Sequence, residues 1–246
     1  MKQVRALRRL VYLGLYTTYV VGKIMIVSAV RGYSPQYSLP ERRKWSKHLL
    51  QGIGVKIVQD GNLPSAPCLL MCNHRSYLDP VVIMADVLAY PVSKAEVASW
   101  PVLGYGARVT GILYLKRESV SSRKKTLAAI GETIRAGWPV IIFPEGTTYD
   151  ADTTGPLKRG GFQLAANENL PIVPVALEYG EKADAWVGNA TFVPHFLSRF
   201  GEKRIYARIR YGEPLSGNDP VEMMVAVRGW MDEQLVEFQG EKGWKE

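Results

Sequence analysis

The chain has 246 residues, 47% of them hydrophobic, and a formal net charge of +8. That length fits one large domain or two small ones, and that apolar content excludes disorder as the default. A basic surface suits nucleic acid, anionic lipid or an acidic cofactor. The basic residues are scattered without a zinc-finger, RNP or helix-turn-helix pattern, so nucleic acid is set aside.

Lys2, Arg5, Arg8 and Arg9 precede a largely apolar stretch, residues 10–30, that carries Tyr12, Tyr16 and Tyr19 and is interrupted by Gly22 and Lys23. A spanning helix needs about 20 apolar residues. A lysine near mid-bilayer costs about 3 kcal/mol. Tyrosines with cations at the edges fit an interfacial anchor; a span, a signal peptide and an ordinary buried helix stay open. Removing residues 1–30 is expected to release the protein from membranes with less effect on the fold. Residues 41–51, with Trp45, Leu49 and Leu50 at helical spacing, form an amphipathic helix that lies on a membrane or on the main domain.

From residue 55 onward, strands and helices alternate. Strands are expected at 55–58, 68–72, 92–94, 111–115, 139–143, 172–177 and 203–211, and helices at 80–89, 121–136, 161–167 and 221–238. This pattern implies an α/β domain, residues 52–246, with a mixed, largely parallel central sheet flanked by helices. Residues 1–51 form an N-terminal, membrane-anchoring helical segment. In strand 203–211, Ile205, Ala207 and Ile209 alternate with Arg204, Arg208 and Arg210, which predicts one face in water. Pro174 inside strand 172–177 predicts an edge or a bulge. Cys68 and Cys72 are the chain's two cysteines. Four residues of strand span about 13 Å, beyond a disulfide's reach of about 7 Å, so both are expected as free core thiols in a reducing compartment. His48, His74 and His195 lack close His or Cys partners, so no metal site is expected.

His74 and Asp79 stand five positions apart, between a buried strand and a helix that starts at Asp79-Pro80. A turn there brings the carboxylate onto the imidazole and makes a general base poised near neutral pH. A satisfied histidine at a helix start is the alternative. Phe143, Pro144, Glu145, Gly146 and Thr147 close an apolar strand, where α/β sheets place their ligands. Gly146 lets backbone approach a substrate, and Glu145 accepts hydrogen bonds from substrate hydroxyls or organises nearby donors; a plain β-turn is the alternative. Arg117, at the end of Gly111 to Lys116, and Lys158, in a glycine-bounded turn before a helix, are candidate anion ligands or solvated cations.

The order of these blocks resembles the glycerolipid acyltransferases. Asn73 to Asp79 is similar to their NHx4D block, and Gly111 to Arg117 to their second. Phe143 to Thr147 is similar to FPEGT, and Ile172 to Val175 to their proline-containing fourth block. The resemblance runs from about residue 45 to 214 and includes Lys94, Ala95 and Glu96, Pro101 to Gly104, and Tyr211 to Pro214. It is greatest to bacterial 1-acyl-sn-glycerol-3-phosphate acyltransferases. It implies that His74, oriented by Asp79, deprotonates the sn-2 hydroxyl of lysophosphatidic acid, which attacks acyl-CoA or acyl-acyl carrier protein to give phosphatidic acid. It also implies acceptor contacts from Asn73, Arg117, Glu145, Gly146, Thr147 and Lys158, no cofactor beyond the acyl donor, and work on the cytoplasmic face of the inner membrane. Many members carry arginine after FPEGT; this chain has Thr148. That departure leaves another lysolipid, such as lyso-ornithine lipid, as the alternative acceptor, and a non-catalytic lipid-binding module as the alternative class.

Overall fold

The computed structural model describes residues 1–99, 110–116, 119–241 and 243–245. Seven strands form one sheet in the order β1-β7-β6-β2-β5-β3-β4. They are β1 (Val55–Asp60), β2 (Leu69–Cys72), β3 (Tyr90–Lys94), β4 (Leu113–Leu115), β5 (Val140–Ile142), β6 (Ile172–Tyr179) and β7 (Ile205–Tyr211). All neighbours pair in parallel except β6 and β7. The expected mixed, largely parallel α/β sheet is therefore present.

Alternation along β2 sorts its side chains into two cores. Leu70 and Cys72 face α2 (Pro35–Ile53), α3 (Asp79–Asp86) and α6 (Phe192–Arg199). Leu69 and Met71 face α4 (Val120–Arg135), α5 (Gly160–Glu168) and α7 (Pro220–Gly240). All four β2 residues are buried, as a central parallel strand requires. Cys68 joins the same core as Cys72, and both thiols are free. Burial pushes Cys68 up to about 12 and Cys72 well above its ordinary value. Both are expected to resist a thiol reagent at pH 8 and to react only after unfolding; colorimetric titration with and without urea checks this.

Two strand expectations change. Pro174 lies on β6, an internal strand between β2 and β7 rather than an edge. It is tolerated because the antiparallel ladder with β7 begins at Val175, while the Pro174 carbonyl accepts the Gly212 N–H at 2.9 Å. The arginine face of β7 is covered rather than open to water. Arg208 is buried and pairs with Asp60 at 2.7 Å and with Glu241, and its guanidinium lies 4.6 Å from the centre of the Phe238 ring. Arg210 pairs with Glu237. The C-terminal half of α7 supplies Glu237 and Phe238 as this lid.

The first helix, α1 (Lys2–Arg31), is long and apolar enough to cross a membrane by length and composition. It also packs on the domain. Ala6 and Ile24 are fully buried, and Trp45 of α2 donates to Thr17 at 3.1 Å. Lys23 pairs with Glu41 of α2 at 2.6 Å, which removes the penalty of an isolated lysine. Arg9 donates to the carbonyls of Phe200, Glu202 and Lys203, and Arg5 to that of Gly201, just past the C-terminal end of α6. Cations suit that end of a helix. Much of the basic N-terminus is therefore committed to the fold. The second helix is likewise seated on the domain through Leu49, Leu50 and Ile53, and it begins at Pro35, six residues before the expected start. It ends at Gly54 in the left-handed conformation (φ 85°), where any side chain would strike the Arg9 guanidinium.

Candidate active site

The carboxyl ends of β2, β5 and β6 meet at one edge of the sheet. The chain leaves β2 at Cys72, turns through residues 73–78, and enters α3 at Asp79, with Pro80 fixing the first helical turn. This turn brings the His74 Nδ1 within 2.7 Å of the Asp79 carboxylate. Because the carboxylate accepts, Nδ1 carries the proton and Nε2 is left as the basic nitrogen. The His74 ring stacks on Phe143 at 4.2 Å and keeps 20% of its side-chain surface exposed.

Asp79 is fully buried, and its charge is compensated by a closed set of donors. The backbone N–H groups of Arg75 and Ser76 donate to one of its oxygens at 2.6 and 2.8 Å; the Tyr179 hydroxyl donates to the other at 2.7 Å. Burial, and then Asp79 itself, hold the Tyr179 phenol well above its ordinary value, so it stays a neutral donor. Tyr179 was not legible as a site residue. It ends an apolar strand a hundred residues away, where a tyrosine gives no local signal.

Glu145 braces the same turn. One of its carboxylate oxygens accepts the His74 N–H at 2.6 Å, and the other accepts the Gly155 N–H at 2.7 Å. The residue is 2% exposed, and burial pushes its carboxyl above the ordinary value, against the pull of these two donors. Both oxygens accept from backbone, which is the donor-organising one of the two roles expected of this residue. Asn73 is likewise bonded to backbone. Its amide donates to the Leu177 carbonyl and accepts the Leu177 N–H, both at 2.8 Å, and it is fully buried. It ties the turn to β6 and makes no wall of the groove. Arg75 is a further residue missed by sequence reasoning: its buried guanidinium reaches the Tyr149 carbonyl and Glu178, both at 3.1 Å.

A groove of about 1130 Å³ opens beside His74. Its apolar walls come from α1 (Leu13, Val20, Val21, Ile24), α2 (Trp45, Leu49), α3 (Val81, Met84) and α4 (Leu127, Ile130). Gly146, Thr147, Thr148 and Lys158 add polar groups to its lining. Gly146 has φ 72°, which favours glycine, and a side chain there would also displace the end of Lys158, 2.6 Å away at Nζ. Among the described residues, Lys94, Arg123 and Lys124 also border the groove, against one carboxylate, Glu96. His74, Asp79, Gly146, Thr147 and Lys158 are thus gathered at one place. Arg117 lies outside the described residues, as does the 101–104 block.

The arrangement can take a proton from a hydroxyl group held in a largely apolar groove. Residues 54–178 match the Acyltransferase family model. The chain is 35% identical over 119 residues to the chloroplastic 1-acyl-sn-glycerol-3-phosphate acyltransferase BAT2 of Brassica napus, covering 47% of this chain and 35% of that protein. It therefore spans only about a third of that relative's length. It is 29% identical over 200 residues to the lyso-ornithine lipid O-acyltransferase of Rhizobium meliloti, covering 73% of this chain and 67% of that one. Its fold is similar to the crystal structure of PlsC, the 1-acyl-sn-glycerophosphate acyltransferase of Thermotoga maritima. The TM-score is 0.78 at 18% identity, over 98% of this chain and 99% of that one. With half of its length matched by the family model, and with the NHx4D and FPEGT residues meeting at one groove, this chain belongs to the Acyltransferase family.

Proposed function

We propose that the protein transfers a fatty acyl group from an acyl thioester to the free hydroxyl of a lysolipid, with lysophosphatidic acid as the first acceptor and phosphatidic acid as the product. The observation that carries this reading is that His74, paired with Asp79, lines a largely apolar groove. His74 Nε2 takes the proton from the acceptor hydroxyl as its oxygen attacks the thioester carbonyl. The tetrahedral adduct collapses, the C–S bond breaks, and the imidazolium returns the proton to the leaving thiolate. Asp79 holds the ring in one tautomer and stabilises its charged form. No covalent acyl-enzyme is needed. The donor is acyl-CoA or acyl-acyl carrier protein.

Lys158, Arg123 and Lys124 at the groove support an anionic head group. By resemblance, Arg117 joins them on the phosphate. Gly146 and Thr147 border the acceptor, and the groove walls from α1, α2 and α4 take an acyl chain. The lipid acceptor and the apolar outer face of α1 support a place on the cytoplasmic face of the inner membrane.

A second reading, acylation of lyso-ornithine lipid, is favoured by Thr148 and by the longer match to the Rhizobium meliloti protein. Purified protein with labelled acyl-CoA and equimolar lysophosphatidic acid and lyso-ornithine lipid is expected to label phosphatidic acid first. Preferential labelling of ornithine lipid would reverse the order. A non-catalytic lipid-binding module has no use for a base held by a fully buried, four-bonded carboxylate; liposome binding with no transfer across donors and acceptors would revive it.

A further inference from the structure

Thr148 occupies the position after FPEGT and borders the groove, yet its hydroxyl is committed to the protein: it donates to the Trp186 carbonyl. The Trp186 N–H in turn donates to the Arg75 carbonyl at 2.8 Å, one residue from His74. Two hydrogen bonds thus fix the Trp186 backbone to the catalytic turn and to the FPEGT loop. The indole also borders the groove. Its ring meets Tyr77 edge-on at 5.4 Å, and Phe192 meets Tyr77 in the same edge-on manner at 4.9 Å. The Tyr77 hydroxyl completes the closure. The His195 Nε2 sits 3.1 Å from the Ala185 carbonyl and so carries the proton, which leaves Nδ1 to accept from Tyr77 at 3.1 Å. The connection between β6 and α6 is therefore fastened at both ends of this aromatic cluster.

We propose that Trp186, clamped by Thr148, is a specificity-determining wall of the acceptor site: it limits the bulk of the head group beside the attacking hydroxyl. This rests on the lysolipid acyl transfer proposed above. The wall stands beside the catalytic turn and the FPEGT loop, because its backbone is bonded to Arg75 and Thr148 and its ring lines the same groove as His74, Gly146 and Thr147. An aromatic ring with its backbone bonded on both sides yields little to a large substituent. A lysolipid with a compact phosphate passes beneath it, and one with a choline on that phosphate meets the indole.

The test compares lysophosphatidic acid with lysophosphatidylcholine, which offer the same glycerol hydroxyl behind heads of different size. The full-length protein in detergent is assayed with acyl-CoA. Trp186→Ala and Thr148→Val are each expected to raise the ratio of kcat/KM for the choline lipid over the phosphate lipid by roughly tenfold, mainly through KM, as a pocket contact of this size does. Thr148→Ser keeps the hydroxyl and is expected to keep the original ratio. Both substitutions lowering activity on the two lipids in proportion, or Thr148→Val matching the unsubstituted ratio, would overturn the wall. Absence of transfer to either lipid by the unsubstituted protein would instead overturn the activity, and the wall with it.

Discussion

Replacing His74 with alanine is expected to lower kcat/KM for acyl transfer by about 10²–10⁴-fold, the usual contribution of a positioned general base. Thermal unfolding should change little. The ring is partly exposed, and its removal leaves Asp79 still bonded to the Arg75 and Ser76 N–H groups and the Tyr179 hydroxyl. Asp79→Ala should behave differently. It strands those three donors in a site with no exposed surface, at about 1–3 kcal/mol for each buried group left unsatisfied. Activity and melting temperature should therefore fall together in Asp79→Ala but separate in His74→Ala. Labelled acyl-CoA turnover beside differential scanning calorimetry makes the comparison. Near-normal turnover in folded His74→Ala protein would remove the imidazole from the chemistry.

The same geometry explains what the sequence could and could not reveal. His74 and Asp79 are joined by one turn, so their spacing was enough to place them together. The buried runs in β2, β5 and β6 are continuous, so the parallel strands stood out from their composition. Glu145 and Asn73 were found as motif residues, but their partners are backbone groups at Gly155 and Leu177, which no side-chain pattern announces. The bonds that tie both residues into the support of the turn were therefore beyond what the motifs could reveal. Arg208 looked exposed because alternation alone cannot show that α7 returns over β7 with Glu237 and Phe238. Helix α6 escaped notice because eight residues with a proline at the third, Phe192–Arg199, give too short a period to read.

Helix α1 is where the expectation changes most, and it carries the second large effect. Two faces of this helix do different work. Val4, Leu7, Val11, Leu15, Tyr19, Ile26 and Val30 form an exposed apolar stripe at helical spacing. Ala6, Arg9, Thr17, Val20 and Ile24 are buried against the domain. Changing Leu7, Val11, Leu15 and Tyr19 together to serine is expected to shift the protein from the pellet to the supernatant in a vesicle sedimentation assay. The melting temperature should stay within a few degrees, because none of these side chains is buried.

Deleting residues 1–31 should not give the same result. It removes the Arg9 bonds to three carbonyls, exposes the apolar surface that Ile24 and Ala6 cover, and takes Leu13, Val20 and Val21 out of the groove wall. Large buried side chains contribute roughly 1.5–3 kcal/mol each, against a typical net stability of about 5–15 kcal/mol. The truncated chain is therefore expected to aggregate, or to melt far lower, and to lose activity even on an acceptor presented in detergent. A truncated protein that stays monomeric, melts normally and acylates micellar lysolipid would reduce α1 to a detachable anchor. A serine-substituted protein that still sediments with vesicles would move the membrane contact elsewhere; the exposed Val193 and Leu197 of α6, beside the first turns of α1, are the next surface to change.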